Sequence, residues 1–321
     1  MGSVVALAGQ VGGAKLADGL YRLRGAALTV VVNTGDDYEH LGLSFSPDLD
    51  TMVYTLGGVG SAKAAWEPEG ETHVVNAMLK ALGGPNRPVH GDKSLAAPLL
   101  RAEGLASGRS LSEVTTSFCR SLGISARVLP MSDDRVRTYV QTVDGVVTFQ
   151  DYFMELGCEP RVRGFQYAGA SEARIPDGVI EALHAEDLEA VILCPANPYH
   201  VILPILELEG MKELLLKRGA PVIAVTPIIG DRALKGSAAK IMRELGRELS
   251  AVSVAGEYRR VIDGFVLDSE DLALVERVRS LGIDVVALPT IMRSIDDRVA
   301  LAQEILDFAA TVRARMDAEA A

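Results

Sequence analysis

The chain has 321 residues, with 32 Lys and Arg against 43 Asp and Glu, a formal charge of −11. Its 48% hydrophobic content supplies a core and excludes wholesale disorder. The acid excess argues against electrostatic binding to nucleic acid, which needs cations on phosphates. The longest apolar runs, such as Val4–Ala8 and Leu28–Val32, fall far short of a membrane span. No charged segment leads into an apolar stretch at the N-terminus, so no secretory signal is expected. Ala6 stands where a myristoylation motif needs Ser or Thr. Cys119, Cys158 and Cys194 are odd in number and lack CxxC spacing, which suits neither a disulfide framework nor a zinc site. A reduced, cytoplasmic protein is expected.

The opening residues read as strand, glycine turn and helix. Ser3–Ala8 is continuously apolar apart from its first residue, as a parallel strand covered on both faces requires. Gly9-Gln10-Val11-Gly12-Gly13 interrupts it, and Leu16, Leu20 and Leu23 carry helical spacing through Ala14–Leu23. Leu28–Val32 predicts a second buried strand. Further strands are predicted at Val140–Phe149, Glu189–Cys194, Pro221–Val225, Gly264–Leu267 and Val285–Leu288. Helices are predicted at Pro176–Leu183, Leu206–Arg218, Ser237–Leu249 and Asp271–Leu281, with a terminal helix over Asp297–Ala321. The stretch 61–129 is mostly helical in pattern, with breaks at Gly83-Gly84-Pro85 and Pro88. It reads as a helical insertion beside the ligand site, inside one domain spanning 1–321. The alternation predicts an α/β fold: a Rossmann-like, largely parallel sheet flanked by helices.

Candidate chemistry collects in the loops after the strands, where open α/β sheets bind ligands. The Gly9–Gly13 turn leads into a helix whose first N–H groups suit a phosphate, although an ordinary tight turn has the same composition. It is not a Walker A loop, because Ala14 and Leu16 flank Lys15, and Val11 spoils a GxGxxG reading from Gly9. After the second strand come Asn33-Thr34-Gly35-Asp36-Asp37 and then Ser46-Pro47-Asp48-Leu49-Asp50-Thr51. Four carboxylates at strand ends suit Mg²⁺, which takes carboxylate, water and substrate phosphate oxygens. Asp36 and Asp48 also suit caps of turns or helices, so about two of the four are expected as ligands. Ser132, in Met131-Ser132-Asp133-Asp134, follows an apolar strand-like segment and is either a substrate contact or a turn cap. Asn197, between Pro195 and Pro198, and the Thr226–Gly230 loop end later strands in the same manner. Phe149–Phe153 offers an aromatic surface, although core packing explains most of it. The five histidines have no metal-ligand spacing, and no GxSxG elbow is present.

Together these loops resemble the 2-phospho-L-lactate transferase family of coenzyme F420 biosynthesis. The resemblance rests on Val11-Gly12-Gly13-Ala14-Lys15, Asn33–Asp37, and Ser46–Thr51 with Tyr54-Thr55-Leu56-Gly57-Gly58. It continues through Ser110–Thr115, Pro130–Asp134, Phe149–Tyr152, Thr226–Gly230, Ala233-Leu234-Lys235-Gly236 and Thr290–Ser294, in family order over nearly the whole chain. The resemblance implies an Mg²⁺-dependent transfer of a phospho-lactate-type moiety (2-phospholactyl, enolpyruvyl or phosphoglyceryl). The moiety passes from a guanosine diphosphate-linked donor to the deazaflavin Fo, with release of GMP. By motif position it implies Asp50 as the catalytic group at the Fo hydroxyl. Asp36 and Asp37, with Asp50, are the implied metal ligands. Gly12, Gly13, Lys15, Asn33, Thr34, Asp48, Asp92, Ser132, Asn197, Ile229 and Gly230 are the implied substrate contacts. The family also suggests a homodimer, with no nucleic-acid or membrane partner.

The chain departs from the family pattern in several loops. Gln10 replaces the second of two adjacent glycines. His90-Gly91-Asp92-Lys93-Ser94-Leu95-Ala96-Ala97-Pro98 stands for Leu-Gly-Asp-Arg-Asp-Leu-Ala-Thr-His, and Ala196 and Tyr199-His200 alter the Pro-Ser-Asn-Pro loop. A non-catalytic regulator binding a nucleotide or nucleotide-sugar is the competing expectation on the same scaffold. Its usual Thr-Asp-Asp-Gly-Gly-Ser-Ser-Gly run is absent here, since Tyr38-Glu39-His40 follows Asp37. A nicotinamide oxidoreductase lacks its glycine fingerprint.

Overall fold

The computed structural model describes residues 2–61, 66–84, 91–217, 219–230, 232–233 and 237–320. Among them, seven strands form one parallel sheet: β1 (Ser3–Ala8), β2 (Leu28–Val32), β3 (Arg127–Pro130), β4 (Leu188–Leu193), β5 (Val222–Val225), β6 (Gly264–Asp268) and β7 (Asp284–Leu288). The spatial order is β7-β6-β5-β4-β1-β2-β3, and every pairing is parallel. The winding reverses between β1 and β4, so the crevice where an open α/β sheet takes its ligand lies above the ends of those two strands. The expected Rossmann-like α/β sheet is therefore the observed one.

Both faces of the sheet are covered, which explains why its strands are apolar without alternation. Val5 and Leu7 of β1 pack into one core with Val191, Tyr199, Val201 and Ile205. Val4, Ala6 and Ala8 pack into the other with Leu16, Leu20, Met52, Ala302 and Ile305. The second core is roofed by α1 (Gln10–Arg24), α2 (Pro47–Leu56) and the C-terminal helix Ile295–Ala320. The stretch 61–129 supplies α3 (Val74–Ala81), α4 (Ala96–Ala106) and α5 (Leu111–Ser121). Its last residues differ from the helical expectation: Arg127–Pro130 is β3, pairing with Thr29–Val32 at the edge of the main sheet.

Other elements depart from the sequence pattern for local reasons. The single strand expected over Val140–Phe149 is a hairpin of Arg137–Thr142 and Gly145–Thr148, joined by Val143-Asp144. Gly145, the first residue after that two-residue turn, takes φ +139°, where a side chain is disfavoured. Val162–Ala168 completes this antiparallel sheet. The helix expected over Leu206–Arg218 breaks into Leu203–Leu206 and Met211–Lys217, with Gly210 at φ +83° between them. Arg218 lies outside the described residues. Ser237–Leu249 shortens to Ala238–Glu244, and a separate helix, Ala251–Tyr258, follows. Asp271–Leu281 is a 3₁₀ segment, Ser269–Leu274, leading into Val275–Arg279.

Candidate active site

Three chain segments meet above the ends of β1, β2 and β4. The β1–α1 turn is pressed against its neighbours. A Cβ on Gly9 would stand 2.4 Å from Asp48 Oδ2, and one on Gly12 would stand 2.5 Å from the Pro195 carbonyl oxygen. Only glycine lets the backbone approach so closely. A Cβ on Gly13 would meet that of Ala8 at 3.3 Å. The first turn of α1 has no cap of its own, and Gln10 N donates instead to Asp48 Oδ1 at 2.8 Å. Asp48 thus caps α1 from α2. Its other oxygen accepts from Asn33 Nδ2 at 2.9 Å, and Asn33 Nδ2 also reaches the His200 carbonyl oxygen at 3.2 Å. Asn33 Oδ1 accepts from Gly35 N, which fixes the turn after β2.

That turn presents Asp36 and Asp37, both buried. Asp36 Oδ2 pairs with His200 Nδ1 at 2.8 Å, and the His200 ring stacks on Phe149 with centroids 3.9 Å apart. Asp37 Oδ2 accepts from Ser46 Oγ at 2.7 Å. Asp36 Oδ1, Asp37 Oδ1 and Thr34 Oγ1 are buried without a hydrogen-bond partner. Burial raises the pKa of Asp36, with His200 opposing. Burial pushes Asp37 up to about 8 against the pull of Arg137, and pushes Asp48 up to about 7, with Asp36 adding to it.

Asp50 stands one turn along α2. Both terminal guanidinium nitrogens of Arg101, Nη1 and Nη2, address its carboxylate, and Nη1 also donates to the Ser44 carbonyl oxygen at 3.0 Å. Arg101 is 1% exposed, and Phe118 covers its guanidinium at 5.8 Å. Burial works against its charge, but Asp50 and then Asp37 outweigh it and lift the pKa above the ordinary arginine value. Asp50 also raises the pKa of Asp37, which places α2 and the β2 loop in one electrostatic field.

The structure therefore gathers Gly12, Gly13, Asn33, Thr34, Asp36, Asp37, Asp48, Asp50 and Asn197 around the reversal of the sheet. Asn197 enters through its backbone N–H, which donates to Gln10 Oε1, while its side chain accepts from Tyr199 N. Other expected contacts are engaged in local bonds. Lys15 Nζ donates to the Met292 carbonyl oxygen, and Ser132 Oγ donates to that of Arg174 and accepts from Asp134 N. Asp92 accepts from Thr72 Oγ1, Val74 N and Val75 N, capping α3, and the Thr72 hydroxyl leads in holding its pKa down. Ile229 is buried, and Gly230 N donates to Asp271 Oδ2. His90 and the Leu234-Lys235-Gly236 motif lie outside the described residues. Among those described, no group of three or more His, Cys, Asp or Glu is arranged to hold a metal ion.

Sequence reasoning missed Arg101 and the role of Ser46. A signal for Arg101 existed: Ala97, Pro98 and Gly104 share its inward face of α4, so an arginine amid small and apolar residues at helical spacing marks a buried cation.

The family model described as 2-phospho-L-lactate transferase CofD matches residues 4–290. The chain belongs to this family. Among CofD-type relatives, the phosphoenolpyruvate transferase of Streptomyces griseus subsp. griseus is 37% identical over 318 residues, covering 97% of this chain and 99% of that protein. The 2-phospho-L-lactate transferase of Methanosarcina mazei is 38% identical over 304 residues, covering 94% and 99%. A solved structure of protein BH3568 from Bacillus halodurans shares the fold at a TM-score of 0.63 and 14% identity, covering 95% of this chain and 99% of that one. CofD proteins are transferases, and no helix among the described residues is long and apolar enough to cross a membrane.

Proposed function

We propose that the protein transfers a phospho-lactate-type moiety (2-phospholactyl, enolpyruvyl or phosphoglyceryl) from a guanosine diphosphate-linked donor to the terminal hydroxyl of the deazaflavin Fo. The observation that carries this reading is the set of buried, unpartnered carboxylate oxygens on Asp36 and Asp37 beside the glycine turn of a CofD-family chain. Buried carboxyl oxygens left without a partner are costly, and a cation that displaced the proton burial retains there would complete them. They fit Mg²⁺, which commonly takes one or two carboxylates together with substrate phosphates. Asp36 and Asp37 would hold it through Oδ1; Asp50, with both oxygens toward Arg101, would face the acceptor instead. When bound, the cation neutralises the diphosphate charge.

The residues of the chain have distinct tasks. The Fo hydroxyl oxygen attacks the phosphorus that bears the acid, and the bond from that phosphorus to the GMP oxygen breaks. The hydroxyl proton passes to Asp50, which Arg101 holds in place. Gly9 and the first turn of α1, through Gly13, would receive the diphosphate, and positioning with charge neutralisation supplies most of the rate. This reading includes a cytoplasmic homodimer, and sedimentation of the purified protein at twice the monomer mass is the expected result.

Incubation of purified protein with Fo, Mg²⁺ and each of the three activated acids tests the proposal. GMP and a phosphodiester of Fo should appear with at least one donor; no product with any of them overturns it. Asp50→Asn should lower turnover by orders of magnitude in a folded protein, because the amide still accepts from Arg101 but takes no proton. Guanosine nucleotide binding without any transfer would instead favour the regulatory reading.

A further inference from the structure

Gln10 is one of three non-glycine residues at positive φ among those described, at +55°. An L-residue is held there only where its surroundings determine it, and such positions concentrate at functional sites. The side chain shows what holds it. Its Oε1 accepts from the Asn197 backbone N–H at 3.1 Å, and its Nε2 lies 3.3 Å from His200 Nε2. A backbone N–H is a donor and nothing else, so the Gln10 amide has one permitted orientation: oxygen toward Asn197, NH₂ toward His200.

The direction of the next bond follows. His200 Nε2 faces an NH₂ group and must be its acceptor, so it carries no proton. In a neutral imidazole the proton then resides on Nδ1, which points at Asp36 Oδ2 at 2.8 Å. Imidazolium, or the opposite tautomer, would set donor against donor at Gln10. The Phe149 ring stacked on His200 fixes the plane in which the two bonds lie. Asp36 Oδ2 is thereby used as an acceptor, and Oδ1 is the oxygen left over, buried and unpartnered.

We propose that Gln10 and His200 form a positioning relay, running from the Asn197 backbone N–H through the Gln10 amide and the Nδ1–H tautomer of His200 to Asp36, which aims Asp36 Oδ1 into the site. Neither residue touches substrate in this scheme; both act through Asp36. The proton assignment stands on hydrogen-bond directions alone, whereas its consequence for turnover rests on the transferase reading above.

Nitrogen-15 resonances of the five histidines, at fixed pH and without ligand, test it. The His200 signals are identified by their loss in His200→Asn, or in His200→Gln if that first variant does not fold. His200 should show an unprotonated Nε2 and a proton on Nδ1. Gln10→Glu still accepts from Asn197 N–H but turns an acceptor toward His200, so Nε2 should gain a proton. A proton on Nε2 in the native protein, or a His200 spectrum unchanged in Gln10→Glu, overturns the relay. On the transferase reading, Gln10→Glu should also lower kcat by about 10–100-fold with the KM for Fo little changed. Absence of transfer by the native protein would sink the transferase reading and leave the nitrogen assignment standing.

Discussion

At the scale of single residues, Arg101 carries the largest stability consequence. Its guanidinium is buried between Asp50, the Ser44 carbonyl and the Phe118 ring. Removing one partner of such a pair strands the other, which is why breaking a buried ion pair costs more than the pair contributes. Asp50 keeps 13% side-chain exposure and regains some water, so Arg101→Met should cost about 3 kcal/mol, the lower end of the usual range. A shift in the urea midpoint measures it, and a loss below about 1 kcal/mol would contradict a buried pair. Arg101→Lys keeps the charge but not the fork, so it should recover most of the stability while Asp50 loses its fixed orientation and turnover stays low. The same logic bears on Asp50→Asn: Arg101 keeps an amide oxygen and the Ser44 carbonyl oxygen, so that variant folds with reduced stability.

Among the elements, α5 shows how a helix can be fixed by its first turn. Ser110 Oγ accepts from Glu113 N, and Glu113 Oε2 accepts from Ser110 N in return, a full capping box. Asp133, just past the end of β3, accepts from Ser112 N and Ser112 Oγ, tying the helix start to a strand-end loop. Ser110→Ala should cost about 1 kcal/mol of global stability. Transfer kinetics should not change, since Ser110 is no part of the carboxylate network. A changed KM for either substrate in that variant would show that α5 borders the site more closely than its cap suggests. Elements held by such local bonds or by continuous apolar runs were legible in the sequence. β1, β2, β4, β5, β6 and β7 all announced themselves because two cores bury them on both faces. The Arg137–Thr148 hairpin was not separated, because its two-residue turn, Val143-Asp144, lies within an otherwise unbroken β-type run. β3 showed only as a strand-like segment before Met131 inside a mostly helical stretch, being a four-residue edge strand directly after two helices.

For the whole molecule, the strand-end rule found the site and long-range contacts completed it. Asp36, Asp37, Asp48 and Asp50 were readable as a group because they lie within a short stretch of sequence after one strand, Asp48 and Asp50 in the first turn of α2. What could not be read was their partners: Arg101 comes from 51 residues away, and His200 from 164. Those pairings decide the chemistry, and they leave a signature in the stability of the whole fold. Asp37 and Asp48 have folded-state pKa values near 8 and 7, against an ordinary 3.8, so the native state holds their protons more tightly than the unfolded chain does. The unfolded chain therefore binds fewer protons across this interval, and stability must fall as pH rises. Their contribution is full below about pH 4, declines through the interval, and is gone above about pH 8. Carboxylates with lowered values, such as Glu71 and Asp134, act in the opposite sense, but they lose their contribution only as pH falls through their folded values and so leave the upper window alone. Urea denaturation of ligand-free protein should thus give an unfolding free energy lower at pH 8 than at pH 5.5, by on the order of a few kcal/mol. Asp37→Asn and Asp48→Asn should each flatten that slope. A profile that is level or rising between those pH values would mean that both carboxylates are already ionised in the native state, and that the dry pocket assigned to them is wet.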